Sequence, residues 1–312
     1  YRGEKRIREF KEMVQSLHKN GIRVIMDMVY NHTYRTHDSN LNLAVPGYYY
    51  RQDINGNFSN GSGCGNELAS ERYMVRKLIL DSIIYWAKEY HIDGFRFDLM
   101  GLHDIETMQI IRKELDEIDP SILMYGEGWT GGGTPLKSDQ AAIKQNIIKF
   151  EKSQIAAFSD DTRDGVKGHV FNINERGYIN GREGLEDTIK FCIVGATGQL
   201  GINYDRVIYS HWSWANEPYQ CINYISAHDN YTLWDKLTMS NREDSIEKRK
   251  SMNKLAAAIV LTSQGIPFFQ AGEEFLRSKK NEDGSFNHDS YNAPDKVNGL
   301  DWSRAYDYRD IE

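Results

Sequence analysis

The run Tyr90-His91-Ile92-Asp93-Gly94-Phe95-Arg96-Phe97-Asp98-Leu99-Met100-Gly101 decides how this chain is read. Successive strand side chains point to opposite faces. Arg96 and Asp98 therefore share one face of a strand, while Phe95, Phe97 and Leu99 share the other. A guanidinium beside a carboxylate favours the ionised acid by charge proximity and hydrogen bonding, the state a carboxylate nucleophile needs near neutral pH. An Arg–Asp pair also serves purely structural ends, so the flanking sequence has to choose.

Upstream, Ile7, Phe10, Met13, Val14 and Leu17 fall at helical spacing, and Asn20-Gly21 supplies a stop. Residues 22–29 form a nearly continuous apolar run of the kind found in parallel strands covered on both faces, and lead into Tyr30-Asn31-His32. Residues 33–70 are polar, rich in Gly and Asn, and too long for an ordinary connection, which predicts a functional loop or small subdomain. Residues 71–90 read as a helix. Downstream, a helix over 104–118 stops at Asp119-Pro120, and a strand over 122–125 leads into Gly126-Glu127-Gly128-Trp129. Further strands are predicted at 155–158, ending near Asp160, at 221–227, ending at His228-Asp229-Asn230, and at 265–270, ending at Glu273-Glu274. Helices are predicted at 185–194 and 248–262.

The repeating unit is a helix, a short turn, a buried strand and a carboxylate at the strand's C-terminal end. That alternation implies a parallel sheet with helices outside it, either a barrel or a doubly wound sheet. Barrel active sites draw on the C-terminal ends of several strands, where Asp27, Asp98, Glu127, Asp229 and Glu273 fall. No dinucleotide or Walker-A glycine loop follows an early strand. The expectation is an α/β fold of the TIM (β/α)8 barrel type.

Composition narrows the partners. A net charge of -7 over 312 residues, with no long basic face, argues against nucleic acid. No apolar run approaches the ~20 residues of a membrane helix, so no membrane partner is expected. Cys64, Cys192 and Cys221 are an odd number without paired spacing and read as ordinary thiols. No charged-then-apolar leader is visible at Tyr1, which leaves the compartment open, cytoplasmic or secreted.

If the strands ending in Asp98 and Glu127 are neighbours ~4.8 Å apart, their carboxylates can lie ~5–5.5 Å apart, the separation used in retaining glycoside hydrolysis. One acid then attacks the anomeric carbon, and the other donates a proton to the leaving oxygen. Arg96 beside Asp98 suits it to the first role. Glu127, set between glycines and next to Trp129, is expected to lack a cation and to be desolvated, which suits the second.

Asp27-Met28-Val29-Tyr30-Asn31-His32, Gly94-Phe95-Arg96-Phe97-Asp98, Gly126-Glu127-Gly128-Trp129 and Ser226-Ala227-His228-Asp229-Asn230 resemble, in order, the four short regions of the α-amylase family of glycoside hydrolases. Within it, Phe97-Asp98-Leu99-Met100-Gly101, Trp129, and the run from His228 to Leu237 are most similar to type I pullulanases, the starch-debranching enzymes. So is the stretch around Gly61-Ser62-Gly63-Cys64-Gly65-Asn66-Glu67. The resemblance implies Asp98 as nucleophile, Glu127 as acid/base and Asp229 as transition-state stabiliser. It also implies Tyr30, His32, Arg96, Leu99, Trp129, His228, Asn230 and Tyr231 as substrate-binding residues. Asp27, deeper in its strand than His32, reads as a buttress that caps loop amides rather than as a reacting group. The substrate implied is an α-glucan, no cofactor is required, and the 33–70 loop leaves room for a structural calcium. Oligomeric state stays open.

The Tyr-Asn-Trp-Gly-Tyr-Asp-Pro motif of the type I group would lie upstream of Tyr1. Six strands are legible against the eight of a closed barrel. Residues 1–312 are therefore expected to be one catalytic barrel domain truncated at its N-terminus, holding about strands 3 to 8, without the C-terminal β-sandwich and marginally stable alone. Competing readings are a metal-dependent hydrolase, another activity of the family such as an isoamylase or α-1,4-amylase, and an inactive glycan-binding fragment. Against the first, His32, His37, His91 and His103 form no His-x-His or His-Glu-x-x-His unit.

Overall fold

The structure, a computed structural model, describes residues 3–311. The chain divides into two compact units, Tyr1–Phe158 and Ser159–Glu312.

In the first unit, helix α1 (Gly3–Lys19) leads to β1 (Ile25–Met28), followed by the short α2 (Asn40–Ala44), α3 (Tyr73–Tyr90), β2 (Gly94–Phe97), α4 (Ile105–Ile118), β3 (Leu123–Gly126) and β4 (Ala156–Phe158). All strand pairs are parallel and follow chain order: β1 with β2, β2 with β3, β3 with β4. Each βα crossover hides one face of the sheet, which is why β2 is buried at all four positions. Helix α3 turns Val75, Ile79, Ile83, Ala87 and Tyr90 inward, a 3.6-residue stripe. Asp104 caps α4 by accepting a hydrogen bond from the Thr107 amide. The expectation of a β1 covered on both faces fails. Ile22, Ile25 and Val29 are exposed, and only Met28 of the strand is buried.

The 33–70 loop is packed through Arg51, a buried guanidinium shared by two carboxylates. Arg51 lies 3.3 Å from Glu67 and 2.7 Å from Glu71, and Glu67 also accepts a hydrogen bond from Thr134 at 2.8 Å. Isolated bridges, Tyr50 with Leu68 and Gln52 with Phe58, close it on itself.

The second unit holds α5 (Asp160–Lys167), α6 (Glu186–Ile193), β5 (Cys221–Asn223), α7 (Leu233–Ser240), α8 (Ile246–Thr262), β6 (Ile266–Pro267), α9 (Asp295–Asn298) and α10 (Ser303–Asp307). β5 and β6 are parallel. Val166, Ile179, Ile189, Ile225, Leu233, Leu237, Met252, Ala256, Ile259 and Val260 form its core, where a fully buried aliphatic side chain contributes roughly 1.5–3 kcal/mol. Four helices of this unit were not legible in the sequence: α5, α7 and the short α9 and α10. α5 buries Asp161, Asp164 and Lys167 with only Val166 as an aliphatic anchor, and Asp160, expected at a strand end, instead opens this helix behind its cap Ser159. α7 follows the His228-Asp229 segment directly, capped by Thr232. The expected strands over 221–227 and 265–270 shrink to three and two residues. Among the described residues no helix is long and apolar enough to cross a membrane.

Candidate active site

The first unit gathers its acids around one guanidinium. The register sets Asp27 opposite Arg96, and Phe97 opposite Gly126, so Asp98 and Glu127 are partners one step beyond the paired strands. The ladder itself extends that far: the Asp98 amide donates to the Met28 carbonyl at 3.1 Å and the Glu127 amide to the Phe97 carbonyl at 3.1 Å. Arg96 Nη1 lies 2.7 Å from Asp27 Oδ1 and 2.9 Å from Asp98 Oδ1, and Nη2 lies 2.8 Å from Glu127 Oε1.

This corrects the expected division of labour. Arg96 and Asp98 do share a strand face, but the cation serves Glu127 equally, so proximity to Arg96 does not separate the two acids. Burial works against the charged guanidinium, yet Glu127 and Asp27, with the hydrogen bonds to Asp27 and Asp98, outweigh it and hold the Arg96 pKa above its ordinary value.

The glycines flanking Glu127 are demanded by close approach. A Cβ at Gly126 would stand 2.5 Å from the Phe97 carbonyl oxygen, and one at Gly128 would stand 2.6 Å from the Lys144 nitrogen. Leu99 departs from the expected strand face altogether. It is left-handed at φ 40°, ψ 51°, a region costly for a residue with a Cβ, and its amide donates to Glu127 Oε2 at 3.0 Å. The backbone of Leu99, rather than its side chain, serves the acid.

Asn31 was missed as a site residue, although it lies inside the run from Asp27 to His32. It is fully buried, and its Nδ2 donates to Asp98 Oδ2 at 2.8 Å and to the Asp98 carbonyl at 2.9 Å. Its Oδ1 lies 2.6 Å from Nδ1 of the half-buried His32. His32 thus reaches Asp98 through Asn31. Tyr30 is directed elsewhere: its hydroxyl donates to Ser82 of α3 at 2.8 Å, and burial pushes its pKa up to about 12. Trp129 is half-buried, and its backbone passes close to Gly101, where a Cβ would meet the Trp129 carbonyl oxygen at 2.5 Å.

In the second unit, His228 and Asp229 are both exposed, with His228 Nε2 3.5 Å from Asp229 Oδ1. Asn230 turns the chain at φ 60°, and the Tyr231 ring meets His288 edge-on at 5.5 Å. Among the described residues no group of three or more His, Cys, Asp or Glu side chains is arranged to hold a metal. In the 33–70 loop, Asp53 accepts from the amides of Asn55 and Asn57 and from the Asn57 side chain.

No family model matches the chain. It is similar to the pullulanase of Bacillus subtilis strain 168, 38% identical over 302 residues that cover 97% of this chain and 40% of that protein. Among solved structures, pullulanase from Paenibacillus barengoltzii in complex with maltohexaose and α-cyclodextrin superposes with a TM-score of 0.88 at 48% identity, covering 98% of this chain and 45% of that one. Pullulanase from Bacillus acidopullulyticus gives a TM-score of 0.89 at 45% identity, covering 99% and 35%. The chain therefore spans less than half the length of each protein it matches here.

Proposed function

Since the chain belongs to the pullulanase family of glycoside hydrolases, we propose that it carries the catalytic core of a retaining endo-hydrolase that cleaves α-1,6 links in pullulan, amylopectin and limit dextrins. Asp98 attacks the anomeric carbon as Glu127 gives its proton to the departing glycosidic oxygen. Glu127 then takes a proton from water, and that water displaces Asp98 with the anomeric configuration retained. Asp229 serves the positive charge that builds at the sugar in both transition states. Trp129 and Tyr231 offer aromatic faces to sugar rings.

The observation that carries this reading is the pairing of Asp98 with Glu127 across adjacent parallel strands under one guanidinium. Strands ~4.8 Å apart give register partners the short carboxylate separation that retaining chemistry uses, rather than the wider gap that inverting chemistry needs for a water. The bound maltohexaose of the Paenibacillus barengoltzii enzyme supports an α-glucan as substrate. No cofactor enters any step.

The test is product analysis of the 312-residue chain on pullulan against linear amylose, with the anomer followed by NMR. Maltotriose of retained configuration is expected. Release of panose, or attack on amylose alone, overturns the α-1,6 reading. Asp98→Asn is expected to lower turnover by roughly 10⁴-fold or more. Glu127→Gln is expected to keep more activity on an activated glycosyl fluoride, whose leaving group needs no proton. Equal rescue of both variants overturns the role assignment.

A further inference from the structure

Lys279 lies in a segment that no motif covers, yet it is one of the most deeply buried lysines of the chain, 1% exposed. Its Nζ donates to the backbone carbonyl of His228 at 3.0 Å and to Ser290 Oγ at 3.1 Å. Its ammonium makes no salt bridge among the described residues, and Asp235, Asp229 and Asp289 act on it only at longer range, so burial costs it more than they return and a carbonyl and a hydroxyl are its direct partners.

The same dipeptide grips the chain again a few residues on. The Lys279 amide donates to Asp235 Oδ2 at 2.8 Å and the Ser278 hydroxyl to Asp235 Oδ1 at 2.5 Å. Asp235 stands in the first turn of α7, whose cap is Thr232. The stretch from His228 to Thr232 is thereby pinned at both ends, with the left-handed Asn230 between. Lys279 is itself fixed by a small hairpin, in which the Asn287 amide donates to the Lys279 carbonyl at 2.8 Å and Lys280 bridges Phe286. The exposed carboxylate of Asp229 thus projects from a backbone that a buried cation anchors one residue earlier, and that cation also interacts electrostatically with Asp229.

We infer that Lys279 is a positioning residue for Asp229: its ammonium fixes the His228 carbonyl and so sets the direction and field of the carboxylate that stabilises the transition state. The inference rests on the reading of Asp229 given above. A carboxylate that acts only as charge develops contributes little to ground-state binding, so loss of its positioning falls on kcat rather than KM.

The experiment is a double-mutant cycle of Lys279→Met and Asp229→Ala in the full chain, assayed on an activated maltotriosyl fluoride, with thermal unfolding of each variant alongside. Lys279→Met is expected to lower kcat roughly 10- to 100-fold with KM nearly unchanged. In the Asp229→Ala background the same change is expected to cost threefold or less, and Lys279→Arg is expected to restore part of kcat. An unimpaired Asp229→Ala overturns the role of Asp229 and this inference with it. An impaired Asp229→Ala beside a Lys279→Met with normal kcat, with only KM altered, or with an undiminished loss in both backgrounds, overturns the role of Lys279 alone. Should Lys279→Met fail to fold, Lys279→Gln, which keeps a neutral donor, runs through the same cycle with the same outcomes deciding.

Discussion

Each unit contains a cluster of acids and bases, the first buried at Arg96 and Glu127 but open at Asp27, and the two reach opposite electrostatic states. In the first, Arg96 holds three carboxylates at 2.7–2.9 Å, and its cation is reinforced. In the second, Lys167 and Glu273 are 2% and 4% exposed. Burial pushes the Lys167 ammonium down to about 7, with Arg163 adding repulsion, and pushes the Glu273 carboxyl up to about 8 despite the opposing pull of Lys167. The difference lies in ion pairing. A guanidinium presents a fork of donors that matches several carboxylates at once, whereas Glu273 forms no salt bridge among the described residues, and the pull of Lys167 and Ser226 on its carboxyl falls short of the cost of burial. Depth of burial alone does not make a charge unstable; unpaired burial does.

The contrast breaks most sharply at Arg96. Arg96→Met leaves three carboxylates facing one another without their cation and is expected to cost about 3–5 kcal/mol in urea unfolding at pH 7. Lys167→Met is expected to cost much less, because that ammonium is already near neutrality there. Equal losses would erase the distinction between the clusters.

Asn31→Ala removes two hydrogen bonds to Asp98 and is expected to cost about 1.5–3 kcal/mol of transition-state stabilisation, a fall in kcat of roughly 10- to 100-fold. A change in KM alone would mean that Asn31 does not act through the nucleophile.

Glu273 gives the pH test. Its folded pKa is raised to about 8 from 4.5, so across that window the folded unit keeps a proton that the unfolded chain has released. Its contribution is complete below pH 4.5 and is lost as pH rises through 8. Lys167, depressed from 10.5 to about 7, acts in the opposite sense and adds stability as pH rises from 7 to 10.5. Glu273→Gln cannot ionise, and is expected to remove the decline between pH 5 and 8 and to exceed the parent by about 1–2 kcal/mol at pH 8. A parent whose urea midpoint rises over that window would contradict the assignment.

The smallest effect is expected at Leu99. Leu99→Gly relieves a left-handed Cβ while loosening the unfolded chain, for a net change within about 1 kcal/mol, and keeps the amide that serves Glu127. Its kcat/KM should stay within a few-fold of the parent. A large loss would shift the role of Leu99 from its backbone to its side chain.

Periodicity made much of this fold legible. The helices at α1, α3, α4, α6 and α8 and the six strand positions follow from apolar spacing, because 3.6- and 2-residue repeats are local properties. α5 escaped because its buried face is built from Asp161, Asp164 and Lys167, which read as solvent-facing residues in any periodic pattern. The strand lengths were overread because apolar runs continue past the last hydrogen-bonded pair into buried loops, as at Tyr224 and Ile225.

By itself the sequence determined that Arg96 and Asp98 share a face, that Glu127 stands between two glycines, and that acids recur at strand ends. It also carried the likeness to the pullulanases. Tertiary structure alone decided that Arg96 also holds Asp27 and Glu127, that Asn31 rather than His32 touches Asp98, and that Lys279 reaches back 51 residues to the His228 carbonyl. The reason is physical: a side chain's facing follows from its own backbone, but its partner is chosen by the register and approach of elements far away in the chain.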